Sequence, residues 1–347
     1  MAENTKIEWA DDSVSLWWGC THRGIGCLNC YAETLTSRMH GKGKFWGPNQ
    51  PRLYCKNWER TLRGLNKKAM EAGKPRVVFV NSMSDFFEDD RPLVGPKITK
   101  GDDAGMYPVM WHGPRKRNGV VGEGVVFTGE MLMPGPGAKS FLPGYRHATI
   151  ADLRTEFFRV ADQCHWLRLL LLTKRPENIR PMWADGGYNG SSSKNVYGYR
   201  DNVWLGTSAA CQEDANRNFP ALFECRDLAG RLFVSLEPLV SPVSIVTAAD
   251  VAIQYGNDIE VPVLNLSDWL DLVIIGGESG PRSRPCSIDW IRLLMRECKA
   301  TRVNCFVKQL GARPINSYGE HLRFEDAKGG DMEVWPEDLR VRQMPAL

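Results

Sequence analysis

The chain alternates short apolar, β-branched runs with longer amphipathic stretches over most of its length. The apolar runs predict strands, because they are as short as buried strands and rich in β-branched residues. These strands cover residues 76–81, 167–173, 203–208, 232–236, 272–276 and 305–308, after a first strand near 16–19. Helices are predicted at residues 31–39, 55–72, 151–163, 211–217 and 288–300. Such alternation is typical of a parallel sheet with crossover helices.

Polar residues follow nearly every predicted strand at its carboxyl end. The clusters are residues 81–85, 173–177, 208, 235–238, 276–280 and 308–309. In β/α barrels the active site is built from the loops at these ends. The sequence therefore predicts an α/β protein with a full or partial β/α (TIM-like) barrel of about six to seven units, with its functional residues at one mouth.

One Gly/Pro-rich stretch interrupts the repeat between residues 95 and 147, and it contains the basic run Arg115-Lys116-Arg117. Its composition predicts an irregular insertion or lid. The expected division is a first barrel half with the cysteine loop (1–94), the insertion (95–147), and the rest of the barrel with a C-terminal tail (148–347). The basic run suits a phosphate backbone, and a solvated loop explains it equally well.

Composition narrows the class of protein. The chain has 347 residues, 43% of them hydrophobic, which is enough for one large core. Its net charge of +3 falls short of the basic excess of a dedicated nucleic-acid module. No apolar run approaches the roughly 18 residues of a membrane span, and the N-terminus lacks a signal-peptide core. We expect a cytoplasmic protein without a membrane partner; no pattern indicates its oligomeric state.

Three cysteines, Cys20, Cys27 and Cys30, lie in one short run. Three thiolates so closely spaced suit a [4Fe-4S] cluster whose fourth iron stays open. The same cysteines with His22 suit a structural Cys₃His zinc site, and purely structural thiols are a third possibility. The other seven cysteines show no ligand spacing and are predicted to be mostly core residues.

A three-cysteine loop after the first strand of a β/α barrel resembles the radical S-adenosylmethionine (radical SAM) superfamily. The usual spacing there is Cys-x3-Cys-x2-Cys, whereas this chain has Cys-x6-Cys-x2-Cys. The chain looks more similar still to a phage and prophage family of three-cysteine proteins with a radical-SAM-like barrel. The motifs that carry this likeness are residues 6–9, 19–21, 27–33, 82–85, 172–177, 203–206, 235–239 and 276–280.

The resemblance implies two cofactors, a [4Fe-4S] cluster held by the three cysteines and S-adenosyl-L-methionine (SAM), with a reductase as electron donor. It also suggests roles for polar strand-end residues, such as SAM ammonium binding by Ser82 or Asp85 and an adenine contact by Tyr31. The cofactor-binding candidates are Tyr31, Ser82, Ser84, Asp85, Arg175 and Ser208. The catalytic candidates are Lys174, Glu237 and Glu278. Salt bridges explain Lys174 and Arg175 almost as well.

Three functional hypotheses follow. The first is a radical SAM enzyme that remodels a modified thymidine base in phage DNA, by isomerisation or C–C bond formation, and so helps the phage evade restriction. The second is the same radical enzyme acting on tRNA or a peptide. The third is a zinc-stapled, non-catalytic nucleic-acid-binding protein.

Overall fold

A curled parallel sheet of seven strands forms the centre of the protein. The computed structural model describes residues 3–95, 109–117, 120–127, 145–184, 198–255 and 263–347. The order of the strands across the sheet equals their order along the chain, which gives a half-barrel. The strands are β1 (Asp12–Val14), β2 (Arg76–Val80), β3 (Leu167–Thr173), β4 (Arg200–Ser208), β5 (Ala229–Leu236), β6 (Leu272–Gly276) and β7 (Asn304–Gln309).

Seven α-helices occur in the described residues. They are α1 (Tyr31–His40), α2 (Trp58–Ala72), α3 (Ile150–Ala161), α4 (Ile179–Ala184), α5 (Gln212–Phe223), α6 (Ile245–Tyr255) and α7 (Ile288–Thr301). Helix α2 shows why they pack on the sheet: Leu62, Leu65 and Ala69 are buried at helical spacing. None of these helices has the length and apolarity that crossing a membrane requires.

Successive strand residues point to opposite faces of the sheet, so each strand contributes to two cores. In β3, Leu169 and Leu171 belong to the large core under the helices, whereas Leu170 belongs to a smaller cluster inside the curl. This inner cluster, which we call the floor, comprises Trp9, Val77, Phe79, Leu170, Trp204, Phe233, Leu272, Ile274 and Phe306. The half-barrel is therefore filled by side chains at its lower end.

Two contacts show how tightly the floor is packed. The Trp9 ring lies 4.6 Å from the Phe79 ring, centroid to centroid. In β4, Gly206 faces the ring of Phe233, and a Cβ at Gly206 would lie 2.3 Å from Phe233 Cζ. A glycine is therefore required there for the ring to cross the interior.

Most predicted elements agree with the structure to within a few residues. The strand predicted at 16–19 is wrong: the first strand of the central sheet is Asp12–Val14, and Trp17–Trp18 instead pairs antiparallel with Arg52–Tyr54. This strand does not stand out as an apolar run, because it begins with the polar residue Asp12. The Asp12 carboxylate is buried, and it accepts a hydrogen bond from Arg76 Nε at 2.7 Å. Helices α4 and α6 were not predicted.

The expected irregular insertion at 95–147 contains regular structure. Its described residues form an antiparallel sheet of Val109–Arg117, Val120–Phe127 and Tyr145–His147. The expectation of an irregular segment is therefore wrong for these residues. Residues 96–108, 118–119 and 128–144 of the predicted insertion lie outside the described part of the chain.

Candidate functional site

A cavity of about 450 Å³ opens above the floor, at the carboxyl ends of the central strands. It brings together every site residue that the sequence predicts, although these come from six separate segments of the chain. The predicted residues that line it are Cys20, Cys27, Cys30, Tyr31, Ser82, Ser84, Asp85, Lys174, Arg175, Ser208, Glu237 and Glu278.

Strand periodicity explains the polar wall of this cavity. Inward-facing positions recur every second residue along a strand. At the ends of four strands the inward positions above the floor carry polar side chains that line the cavity: Asn81 lies two residues beyond Phe79, Ser208 four beyond Trp204, Ser235 two beyond Phe233, and Lys308 two beyond Phe306. The cavity thus has an aromatic floor and a polar rim.

The three thiols enter the cavity from one loop. Cys27 ends a short 3₁₀ turn, Ile25–Cys27, and Cys30 precedes the first residue of α1. All three thiols are free and half-buried. Burial, and then the negative charges of Asp85 and Glu88, raise the pKa of Cys20. In the described residues, no three His, Cys, Asp or Glu side chains gather closely enough to hold a single metal ion.

Two glycines allow the loop to take its path. Gly19 has φ +103°, and a Cβ there would lie 2.2 Å from the carbonyl oxygen of Phe45. Gly26 packs closely over the end of β4, where an added Cβ would lie 3.1 Å from Ala210 Cβ. The close approach of backbone at both points favours glycine.

On one side the loop is held by Asp85 and Arg175. The Asp85 carboxylate accepts hydrogen bonds from Thr173 Oγ1 at 2.6 Å, from the Lys174 backbone N–H at 3.0 Å and from Arg175 Nη1 at 3.0 Å. Arg175 Nη2 then donates to the carbonyl oxygen of Thr21 at 2.7 Å. Both carboxylate oxygens are engaged, so Asp85 acts here as an anchor for the cysteine loop.

On the other side the loop is held by Glu278 and Arg284. Glu278 accepts from Arg284 Nη2 at 2.7 Å and from Asn29 Nδ2 at 3.1 Å, and Arg284 Nη1 donates to the carbonyl oxygen of Ile25 at 2.9 Å. Burial alone would raise the pKa of Glu278, but the hydrogen bonds from Arg284 and Asn29 outweigh it and lower this pKa. Glu278 is therefore an ionised loop anchor.

A buried ion pair supports the loop from below. Arg52 and Glu88 are almost fully buried, with Arg52 Nε 2.7 Å from Glu88 Oε2. Arg52 Nη2 also donates to Thr21 Oγ1 at 2.9 Å. Thr21, next to Cys20, thus receives hydrogen bonds from two arginines, Arg52 and Arg175.

Several buried polar atoms of the cavity wall have no partner among the described residues. They are Trp9 Nε1, Trp46 Nε1, Asn81 Nδ2 and Ser208 Oγ. Each such group costs about 1 to 3 kcal/mol when it stays unpaired. Buried polar groups without a partner call for an explanation, and an ordered water or a ligand at the cavity wall supplies one.

The remaining predicted residues differ in whether their polar atoms have a hydrogen-bond or ion-pair partner. Glu237 forms an ion pair of 2.5 Å with Lys308, a cavity residue that was not singled out from the sequence. Lys174 Nζ has no hydrogen bond or ion pair within the described ranges. Tyr31 donates its hydroxyl to the carbonyl oxygen of Ser82 at 2.6 Å, and Ser84 donates to that of Trp17 at 2.9 Å.

Sequence reasoning missed Arg52 and Arg284, and it named Asn81 and Lys308 only as members of strand-end clusters. The available signal for Arg284 was its place in the polar loop after β6, and Lys308 stood in a noted strand-end cluster. His22, the fourth ligand of the zinc alternative, lies with Nε2 2.8 Å from Glu33. Metal-binding histidines commonly have such a carboxylate beside them.

The family model described as "Protein of unknown function (DUF5131)" matches residues 4–95 and 145–333 of the chain. The chain belongs to this family. The DUF5131 match contains all twelve predicted cavity residues and leaves residues 96–144 unmatched, which lie within the predicted insertion. Neither a curated protein nor a solved structure matches the chain.

Proposed function

We propose that this DUF5131 protein is a radical SAM enzyme, with Cys20, Cys27 and Cys30 as the ligands of a [4Fe-4S] cluster. The observation that carries the proposal is the meeting of these three free thiols with unpaired polar groups in one cavity at the strand ends. The finer fold that we propose is the radical-SAM-like barrel implied by the resemblance.

Three cysteine thiols on the wall of one cavity are the donor set that a [4Fe-4S] cluster with one open iron requires. Each thiolate of such a cluster binds a different iron, so the three sulfurs need not converge on one point. When bound, the cluster and SAM supply one-electron cleavage of the sulfonium bond and a radical that abstracts hydrogen. Every other task falls to the protein.

The role that we propose for each residue depends on whether its polar atoms already have a hydrogen-bond or ion-pair partner. Asp85 with Arg175, and Glu278 with Arg284, hold the cysteine loop in place from two sides. Lys174 and Ser208 present unpaired polar atoms, which suit a carboxylate or another acceptor-rich ligand group. Glu237, paired with Lys308, is placed to bind an amine or to accept a proton.

The aromatic floor excludes water from the lower end of the cavity. Trp9 and Phe79 present largely apolar surface there, and both line the cavity. A dry wall protects a reactive radical from side reactions and strengthens polar interactions at the rim. This arrangement favours hydrogen abstraction over hydrolysis as the reaction class.

For the substrate we propose a modified thymidine base of phage DNA, remodelled by isomerisation or C–C bond formation in a way that aids evasion of restriction. The support is the likeness to phage proteins and the basic run Arg115-Lys116-Arg117, whose backbone lies in the strand Val109–Arg117. Nucleoside mass spectrometry after anaerobic incubation tests this proposal, with phage DNA, tRNA and peptide as parallel substrates. Alteration of tRNA or peptide alone would refute the DNA substrate.

The zinc-stapled binding protein is the second candidate, and the His22–Glu33 pair is the observation that favours it. In that protein Cys20, Cys27, Cys30 and His22 would hold one structural zinc, which requires them to move closer together than they lie in the described structure, and no SAM would be cleaved.

Production of 5′-deoxyadenosine tests the enzyme directly. We expect anaerobically reconstituted protein with dithionite and SAM to form 5′-deoxyadenosine, and Cys30→Ala to abolish it. Cys55→Ala is the matched control, because Cys55 is a half-buried thiol that does not line the cavity. Equal product from the wild type and Cys30→Ala, or none from either, would refute the proposal.

A further inference from the structure

An exposed apolar stripe runs along α1 away from the cavity mouth. Leu28, Tyr31, Leu35 and Met39 are 63%, 58%, 36% and 58% exposed. Tyr31, Leu35 and Met39 are spaced four residues apart, so they lie on one face of the helix. Contiguous exposed apolar side chains of this kind mark interaction sites on soluble proteins.

The stripe is bordered by positive charge. From residue 34 to residue 58 the chain has no Asp or Glu. Within this stretch Arg38, Lys42 and Lys44 are exposed and have no acidic partner in the described part of the molecule. A partner of negative charge is therefore favoured electrostatically.

The stripe begins at the cysteine loop. Tyr31 lines the cavity and directly follows Cys30, and Leu28 lies between Cys27 and Cys30. A protein seated on the stripe would lie close to the three thiols. The position of the stripe beside the thiols, its apolar surface and the positive charge at its border thus all favour a negatively charged protein as the partner.

We infer that the α1 stripe, which consists of Leu28, Tyr31, Leu35 and Met39 with Arg38, Lys42 and Lys44 at its border, is the docking surface of an acidic electron-donor flavoprotein. This inference rests on the proposed function, which requires one electron per radical formed. One electron leaves the reduced flavin of the donor and enters the cluster, and no covalent bond forms or breaks. Exposed leucine and methionine favour a protein over DNA, whose interfaces are more polar.

The test uses a flavodoxin as the probe and measures its affinity for the whole protein at low and high salt. We expect Lys42→Glu with Lys44→Glu to weaken binding at least tenfold at low salt, and Leu35→Ser with Met39→Ser to weaken it at both salt concentrations. Lys67→Glu with Lys299→Glu is the matched control, because it makes the same charge change on the exposed surfaces of α2 and α7. The control is expected to bind as the wild type does.

Cluster reduction gives a second readout. The stripe variants should be reduced more slowly by flavodoxin and at the wild-type rate by dithionite, which needs no docking surface. Wild-type protein that does not bind flavodoxin, unchanged affinity in the stripe variants, or a dimer that buries the stripe would overturn the inference. A wild-type protein without a cluster would instead refute the proposed function, while the affinity measurement still decides the docking surface.

Discussion

Arg284 Nη1 donates a hydrogen bond of 2.9 Å to the carbonyl oxygen of Ile25, and so joins the loop after β6 to the loop that carries the three cysteines. Arg175 makes the equivalent contact on the far side, to the carbonyl oxygen of Thr21. Each arginine is itself fixed by a carboxylate, Glu278 or Asp85. The cysteine loop is thus held by hydrogen bonds from the loops that follow β3 and β6.

Replacing Arg284 should loosen the loop more than it weakens the fold. Arg284→Gln removes the bonds to Glu278 and Ile25, and we expect at least a twofold lower iron content after anaerobic purification. The free energy of unfolding should fall by about 1 to 3 kcal/mol. Arg292→Gln is the control, since Arg292 pairs with Asp289 and Asp338 away from the cavity. Equal iron content in both variants would refute the positioning role.

Breaking the Arg52–Glu88 pair should destabilise the whole protein. Arg52→Met leaves the Glu88 carboxylate buried without its partner, which costs about 3 to 5 kcal/mol in such pairs. Urea unfolding measures this loss. Adding Glu88→Leu removes the stranded charge, so the double variant should recover part of the stability. A single variant as stable as the wild type would contradict the role of the pair.

Stability should respond to acid through Glu278. Its pKa is lower in the folded protein than in the unfolded chain, because the bonds from Arg284 and Asn29 outweigh the effect of burial. The stabilisation is therefore complete above the unfolded pKa of about 4.3 and disappears as the pH falls through the lower folded value. The stability difference between wild type and Glu278→Gln should shrink from about pH 6 to about pH 3. A constant difference would refute this linkage.

Replacement by alanine should have opposite effects on stability at two glycines. Gly206→Ala places a Cβ against the buried ring of Phe233 and should destabilise the protein by about 1 to 3 kcal/mol. Gly64 lies in α2 with open space around it, so Gly64→Ala should stabilise by up to about 1 kcal/mol. Thermal unfolding of both variants measures this contrast. Equal shifts would contradict the packing of the floor.

The sequence predicts much of this architecture because strand signals are local. Apolar runs such as Leu167–Thr173 and Leu272–Gly276 match the observed strands to the residue. The first strand escaped because Asp12 and Ser13 read as polar, and the partner that permits Asp12 to be buried, Arg76, is 64 residues away in the chain. That a charged residue is buried can be predicted only when the residue that pairs with it is known.

The site shows the same division between local and distant information. Strand-end clusters predicted which residues meet, since parallel strands end at one edge. They did not reveal that Asp85 and Glu278 are already engaged, because their partners Thr173, Arg175 and Arg284 lie on other loops or later in the same loop. The sequence could therefore predict which residues line the cavity. The role of each residue there follows only from the hydrogen bonds that the structure shows.

Metal and sulfide analysis of anaerobically purified protein shows directly whether Cys20, Cys27 and Cys30 hold a [4Fe-4S] cluster. We expect about four irons and about four sulfides per chain in the wild type, and their loss in Cys27→Ala with the fold retained by circular dichroism. One zinc per chain without iron or sulfide would contradict this expectation and favour the zinc-stapled protein.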